Sequence, residues 1–214
     1  MARIFVTGIG TGVGKTMVSA CVTEALSADY WKPVQSGLED GTDTNTVQSL
    51  LSNATTVCHP EAYRLREPAS PHLSARLEGT RIDEMLIVSA ANGIRPSSGH
   101  LVIEGAGGLL VPLNENVFTL DLILALQAQV IIVAQNYLGS INHSLLTSRT
   151  LKACGVPVLG WIFSGEFHSN QDEIVRWSEY PLLGHIPQAQ RVDAAFVREQ
   201  ARGLNPVLAS VLRS

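Results

Sequence analysis

GIGTGVGKT, residues 8–16, follows directly on the apolar run Ile4-Phe5-Val6 and precedes a helical pattern. A glycine-rich loop between a buried strand and a helix turns successive backbone N–H groups toward one point, where a phosphate can sit. The helix N-terminus adds partial positive charge there, Lys15 adds a full one, and the Thr16 hydroxyl can ligate Mg²⁺. The usual spacing puts four residues between the first glycine and Gly-Lys. Here five separate Gly8 from Gly14, a loop longer by one residue. Strand, Gly-Lys-Thr and helix in this order predict a site for a nucleoside phosphate.

Outward from this loop, Val102-Ile103, residues 130–133 and residues 158–163 join residues 4–6 as continuous apolar runs. Continuous rather than alternating runs suit parallel strands covered by helices on both faces. Met17, Val18, Cys21, Val22, Ala25 and Leu26 recur at helical spacing, as do Leu120, Ile123, Leu124 and Leu126 less regularly. Asn205-Pro206 reads as an N-cap with a first-turn proline, and Leu204, Val207, Leu208, Val211 and Leu212 mark one apolar face. The alternation predicts an α/β fold, a doubly wound, mostly parallel sheet flanked by helices, in one domain over residues 1–214. Ligands of such sheets bind beyond the carboxyl ends of the strands. The loops at 8–16, after Ile103 and after Val133 are therefore expected to be neighbours. Pro60, Pro68 and Pro71 break residues 53–81 into loops and short helices.

Hydrophobic residues make up 45% of the chain and charged ones 16%, which excludes a disordered chain. A formal charge of −4 without any Lys/Arg-rich run gives no footprint for nucleic acid. The N-terminus has too few apolar residues before its glycines for a signal peptide, and no apolar run is long enough to cross a bilayer. Cys21, Cys58 and Cys154 lack metal-ligand spacing and read as reduced and mostly buried. A cytoplasmic protein with no membrane or nucleic-acid partner is expected.

Glu104 closes the strand Leu101-Val102-Ile103 ahead of Gly105-Ala106-Gly107-Gly108. An acid at the carboxyl end of a buried strand beside a phosphate loop is placed to hold Mg²⁺, directly or through water. Asp43, in Gly41-Thr42-Asp43-Thr44, precedes the pattern Val47, Leu50, Leu51, where ordinary helix capping accounts for it. Spacing alone does not choose between Asp43 and its neighbour Asp40. Pro33 favours extended backbone at Lys32, a strand end from which a lysine can neutralise transferring phosphate, although an isolated lysine is more often a solvated surface charge. Residues 139–143, Gly-Ser-Ile-Asn-His, open a helix whose exposed N–H groups suit a carboxylate. His143, in that first turn, reads as a packing or capping residue rather than a general base. No Ser/His/Asp arrangement or zinc set stands out.

Six segments, in order across most of the chain, resemble the dethiobiotin synthetase family: TGIGTGVGKT at 7–16, KPVQSG at 32–37, EPASPH at 67–72, VIEGAGGLLVPL at 102–113, LGSINH at 138–143 and PLLGHIP at 181–187. KPV-x-SG together with EGAGG is the most specific part. The resemblance implies a P-loop NTPase-like fold and a reaction of 7,8-diaminononanoate with CO₂ or bicarbonate and ATP. One amine takes up CO₂ as a carbamate, ATP phosphorylates the carbamate, and the second amine closes a cyclic urea with release of ADP and phosphate. Phosphoryl transfer is catalysed mainly by positioning and charge neutralisation, and holding both amines beside one carbon supplies up to about 7–11 kcal/mol through proximity.

The resemblance further implies that Lys15 and Lys32 flank the phosphoryl group and that Thr16, Asp43 and Glu104 hold Mg²⁺, selecting Asp43 over Asp40. ATP would be bound by Gly12, Val13, Gly14, Lys15, Thr16, Met17, Asp43, Glu104, Gly105, Ala106 and Gly107. Its base would lie near Ser164, Gly165, Ile186, Pro187 and Gln188. Thr11 and Ser36 would meet the diamine or carbamate. Ser140, Ile141 and Asn142 would bind its carboxylate from the partner subunit of a homodimer. Two departures stand out: Ile9 and Gly10 replace the family's threonine and aspartate, and Ser164-Gly165 replaces its Asn-Asp. Serine lacks the paired donor and acceptor with which an amide reads adenine.

A competing class is the deviant-loop ATPases of partitioning and septum positioning, which carry a lysine five residues before the loop lysine. Here that position is Gly10. A guanine-nucleotide switch would carry Asn/Thr-Lys-x-Asp, which does not occur.

Overall fold

The structure, a computed structural model, describes residues 2–39, 41–166 and 170–213. Asp40 lies outside them. Seven strands form one sheet: β1 (Ala2–Gly8), β2 (Asp29–Trp31), β4 (Cys58–His59), β6 (His100–Glu104), β7 (Gln129–Gln135), β8 (Val158–Ser164) and β9 (Leu182–Ile186), in the order β4-β2-β6-β1-β7-β8-β9. Every pairing is parallel. A separate parallel pair, β3 (Val34–Ser36) with β5 (Tyr63–Leu65), stands over one end of the sheet's carboxyl edge.

The four apolar runs become β1, β6, β7 and β8, the centre of the sheet, and alternate residues feed opposite faces. Ile4, Val6, Val102, Ile131, Val133 and Ile162 pack with Val18, Cys21 and Val22 of α1 (Lys15–Leu26) and Val197, Leu204 and Leu208 of α8 (Ala194–Val211). Phe5, Leu101, Ile103, Val130, Ile132, Trp161 and Phe163 pack on the other face. There they meet Ile87 of α4 (Glu84–Gly93), Ile123 of α5 (Thr119–Ala125), Leu151 of α6 (Ser140–Ala153) and Ile174 of α7 (Asn170–Ser178). Burial on both faces explains why these strands are continuously apolar.

The expected helix start at Asn205-Pro206 is corrected by the structure. Asp193 caps α8, accepting from Ala195 N at 3.1 Å and Phe196 N at 3.0 Å, and Pro206 lies inside the helix. An interior proline removes a hydrogen bond and costs roughly 3 kcal/mol. The apolar face of Val197, Ala201, Leu204 and Leu208 runs past it onto α1 and offsets that cost. Cys154 also departs from expectation: it is exposed at the C-cap of α6, with Cys21 buried and Cys58 half-buried.

Candidate active site

The strands of the sheet's centre end together, and their ends carry the chemistry. Gly8, Lys32 just beyond β2, Glu104, Ser164 and Ile186 all stand at the carboxyl edge. The three loops expected to be neighbours meet there. Ile9 N donates to Val133 O at 3.0 Å. A side chain at Gly108 would begin 3.2 Å from Gly8 O, tighter than a Cβ ordinarily packs, so glycine lets these two loops lie close without a shift.

Gly14 precedes α1 with φ +91°, and a Cβ there would stand 2.9 Å from Ser164 Cβ. This αL residue turns the chain so that the first N–H groups of α1 face the cleft. The Lys15 ammonium folds back to donate to Gly10 O at 2.9 Å. Burial lowers its pKa to about 8, with Glu104 raising it, Lys32 lowering it and Asp43 raising it.

Four elements bring the remaining charges together. Tyr30 on β2 and Lys32 just past its end lie two residues apart, as alternate residues of extended chain facing one way do, and both reach Glu104. Tyr30 OH donates to Glu104 Oε2 at 2.9 Å, and Lys32 Nζ donates to Glu104 Oε1 at 3.0 Å. Lys32 also pairs with Asp43 Oδ2. Asp43 is the first residue of α2 (Asp43–Leu50), but it does not cap the helix. Thr42 does, accepting from Asn45 N at 3.1 Å, which leaves the Asp43 carboxylate to the site. Asp43 N in turn donates to Gln35 Oε1 at 3.1 Å. Burial raises the Asp43 pKa, but the Lys32 charge and hydrogen bond and the Thr16 hydroxyl hold it below the usual carboxylate value. Burial likewise disfavours charged Lys32, and Glu104 and Asp43 more than offset it, keeping the ammonium protonated.

Thr16 Oγ1 lies 2.9 Å from Glu104 Oε1 and 3.0 Å from Asp43 Oδ1. A hydroxyl has one hydrogen, so it cannot donate to both carboxylates at once. Three hard oxygens converging with one proton among them fit a divalent cation of the Mg²⁺ type, whose other ligands would be water and phosphate. Among the described residues no cluster of three His, Cys, Asp or Glu offers a softer site.

A cleft of about 840 Å³ opens above these groups. Of the residues expected to act, Thr11, Gly12, Gly14, Lys15, Thr16, Met17, Lys32, Ser36, Asp43, Glu104, Ala106 and Gly107 line it. Val13 and Ile186 put their side chains into the core instead, and Gly105 packs against the Phe5 ring. Pro187 and Gln188 are exposed beyond β9. Gly165 N donates to Ile186 O at 3.0 Å, tying the ends of β8 and β9 together.

Ser140, Ile141 and Asn142 do not line the cleft. They open α6, away from Lys32 and Glu104, on a face that carries exposed Tyr137, Leu138, Leu146 and Leu110. A groove of about 320 Å³ runs along it between Gly10, Leu110 and Val111 on one side and His143, Leu146 and Thr150 on the other. His143 Nδ1 lies 2.7 Å from Tyr137 OH and is not in the cleft.

Sequence reasoning passed over Tyr30, which holds the Glu104 carboxylate, and Gln35, which accepts from the Asp43 backbone N–H. Tyr30 had a usable signal, since it precedes Lys32 by two residues on a strand. Pro68, Ala69, Ser70 and Pro71, within the EPASPH segment, form a wall of the cleft.

Comparison with known proteins follows this geometry. A family model described as "AAA domain" matches residues 2–195. The chain is 44% identical over 203 residues to an ATP-dependent dethiobiotin synthetase of Cytophaga hutchinsonii, covering 94% of this chain and 96% of that one. It is 46% identical to another from a Bradyrhizobium species, covering 86% and 87%. Among solved structures, the septum site-determining protein MinD from Pyrococcus horikoshii, complexed with Mg-ADP, superposes with a TM-score of 0.64 at 14% identity, covering 98% of each chain. At that identity the likeness speaks for the fold alone.

Proposed function

This chain belongs to the ATP-dependent dethiobiotin synthetase family, and we propose that the cleft between the phosphate loop, Lys32, Asp43 and Glu104 is where it turns 7,8-diaminononanoate and CO₂ into dethiobiotin. The convergence of Thr16, Asp43 and Glu104 on one point beside Lys15 and Lys32 carries this reading. The partitioning ATPases share only the fold.

In the proposed sequence one substrate amine adds to CO₂ and loses a proton, giving a carbamate. A carbamate oxygen attacks the γ-phosphorus of ATP, the bond to the β-phosphate oxygen breaks, and ADP leaves. The second amine attacks the carbamoyl carbon, the carbon–oxygen bond to phosphate breaks, the amine loses a proton, and the cyclic urea forms with release of phosphate. Residues of the 8–16 loop cradle the phosphates through backbone N–H groups, and Lys15 leaves Gly10 O for them. Lys32 neutralises charge on the phosphoryl group in flight. Thr16, Asp43 and Glu104 would hold a Mg²⁺ ion, which would supply positive charge against that of the phosphates. Two lysines and two carboxylates cancel in the cleft, so an added cation makes it attractive to a polyanionic triphosphate.

Ser36 and Thr11 would position the diamine or carbamate. Ser164, Gly165, Ile186, Pro187 and Gln188 would flank the base. The exposed apolar face around α6 is proposed as the seam of a two-fold homodimer. Across it the N–H groups at Ser140, Ile141 and Asn142 would reach the carboxylate of substrate bound in the partner. Residues 1–214 would act as one synthetase domain in the cytoplasm. Among the described residues no helix is long and apolar enough to cross a membrane.

The test is phosphate release from Mg-ATP with and without diaminononanoate and bicarbonate, with the product weighed by mass spectrometry. Release that needs both substrates and yields a cyclic urea is expected. Indifference to the diamine would overturn the reading.

A further inference from the structure

We propose that Tyr30 sets the cation selectivity of this site by leaving Glu104 only one oxygen to give. The inference rests on the proposed role of Glu104 as a cation ligand.

The two oxygens of Glu104 are occupied differently. Oε1 faces the cleft, with Thr16 Oγ1 at 2.9 Å and Lys32 Nζ at 3.0 Å, both groups that can move to other partners when a nucleotide enters. Oε2 points back into the protein and takes the Tyr30 hydroxyl at 2.9 Å. Neither side of that bond has room to move. Tyr30 is 0% exposed and Glu104 1%. Tyr30 sits mid-sheet, in register with Cys58 on one side and Val102 on the other, and its N–H donates to Val57 O at 3.0 Å. The only hydrogen-bond partner of its hydroxyl among the described residues is Glu104.

A carboxylate can hold a cation through one oxygen or through both. Mg²⁺ takes six ligands in a strict octahedron and accepts one oxygen from each carboxylate. Ca²⁺ takes six to eight and readily uses both. Swinging Oε2 toward the cleft would strip the phenol of its partner in a place water does not reach, and an unpaired buried donor is costly. Ca²⁺ is thereby denied its preferred grip while Mg²⁺ and Mn²⁺ lose nothing. Tyr30 acts through Glu104 and is a positioning residue.

The experiment measures Mn²⁺ binding to the ADP-bound protein by electron paramagnetic resonance, with Ca²⁺ as competitor, for wild type, Tyr30→Phe and Glu104→Gln. Phenylalanine keeps the buried ring and removes only the hydroxyl. The expected result is a roughly tenfold shift of the Ca²⁺-to-Mn²⁺ affinity ratio toward Ca²⁺ in Tyr30→Phe, the size of one charge-assisted hydrogen bond. An unchanged ratio, including an equal loss for both ions, would overturn the proposal and reduce Tyr30 to packing. Glu104→Gln should weaken Mn²⁺ itself. If it does not, the ligand role of Glu104 fails first. Should Tyr30→Phe not fold, the wild-type crystal structure with Ca-ADP decides: one Glu104 oxygen on the Ca²⁺ ion supports the proposal, and two overturn it.

Discussion

Ser164, the last residue of β8, closes against Gly14 at the start of α1, its Cβ 2.9 Å from where a Gly14 side chain would begin. The contact ties the phosphate loop to the half of the sheet that lies beyond β7. Gly14→Ala should therefore fail twice, through its φ of +91° and through collision with Ser164. A stability loss of about 1–3 kcal/mol is expected, with ADP affinity reduced at least ~10-fold. Adding Ser164→Gly should restore part of both, because it removes the collision and leaves the backbone strain. Thermal melting and calorimetric titration with ADP read the two effects.

Lys32→Ala should separate binding from chemistry. If Lys32 acts chiefly on the moving phosphoryl group, turnover falls by roughly 10²–10³ while nucleotide affinity stays within about tenfold. Steady-state phosphate release gives the first and titration the second. Equal losses would make Lys32 a ground-state binding residue.

Leu146 stands exposed on the apolar face of α6. In the proposed dimer an aspartate there would be buried against apolar neighbours. Leu146→Asp should weaken self-association by roughly 2 kcal/mol, about thirtyfold. Light scattering across a dilution series measures this. The KM for diaminononanoate should rise in parallel while ADP binding holds, since the carboxylate site would come from the partner. A variant that stays associated as wild type does would place the seam elsewhere.

The three thiols should separate by pH. Burial, with Glu24 beside it, pushes Cys21 up to about 12, and burial with the Asp29 charge pushes Cys58 up to about 11. The thiolate is the reactive form, so Cys58 alkylation should climb steadily with pH up to about 11. Exposed Cys154 should react first because reagent reaches it, and buried Cys21 only after unfolding. Peptide mass mapping after timed iodoacetamide treatment checks the order.

Much of this site was legible because glycine spacing and buried strands leave strong marks. The loop at 8–16, Lys32 before a proline and Glu104 at a strand end all fell where the sequence reading put them. β2 was marked only by its end at Lys32 and β4 was missed, since Asp29–Trp31 and Cys58–His59 carry no run long enough to show a period, and β9 was not read as a strand either. Asp43 was ambiguous because Thr42, Asp43 and Asp40 are all able caps, and only tertiary structure shows that Thr42 takes that role. Pro206 misled because local chemistry favoured a helix start, while the packing of α8 on α1 overrode it. Tyr30 looked like core, which it is, and its hydroxyl acquires meaning only when a distant strand brings Glu104 alongside.

That strand arrives late. β1 and β2 are made first, yet they are not neighbours: β6 is threaded between them and begins at His100, about 70 residues after β2 ends at Trp31. During synthesis a slot must stay open at the middle of the sheet, with two apolar strands held apart until the third can enter. Direct pairing of β1 with β2 would satisfy their backbones and produce a plausible but sterile sheet, with a phosphate loop and a lysine but no Glu104. The nascent chain is thus exposed to a specific misfold, and the delay before β6 emerges is the window in which chaperone dependence should be felt.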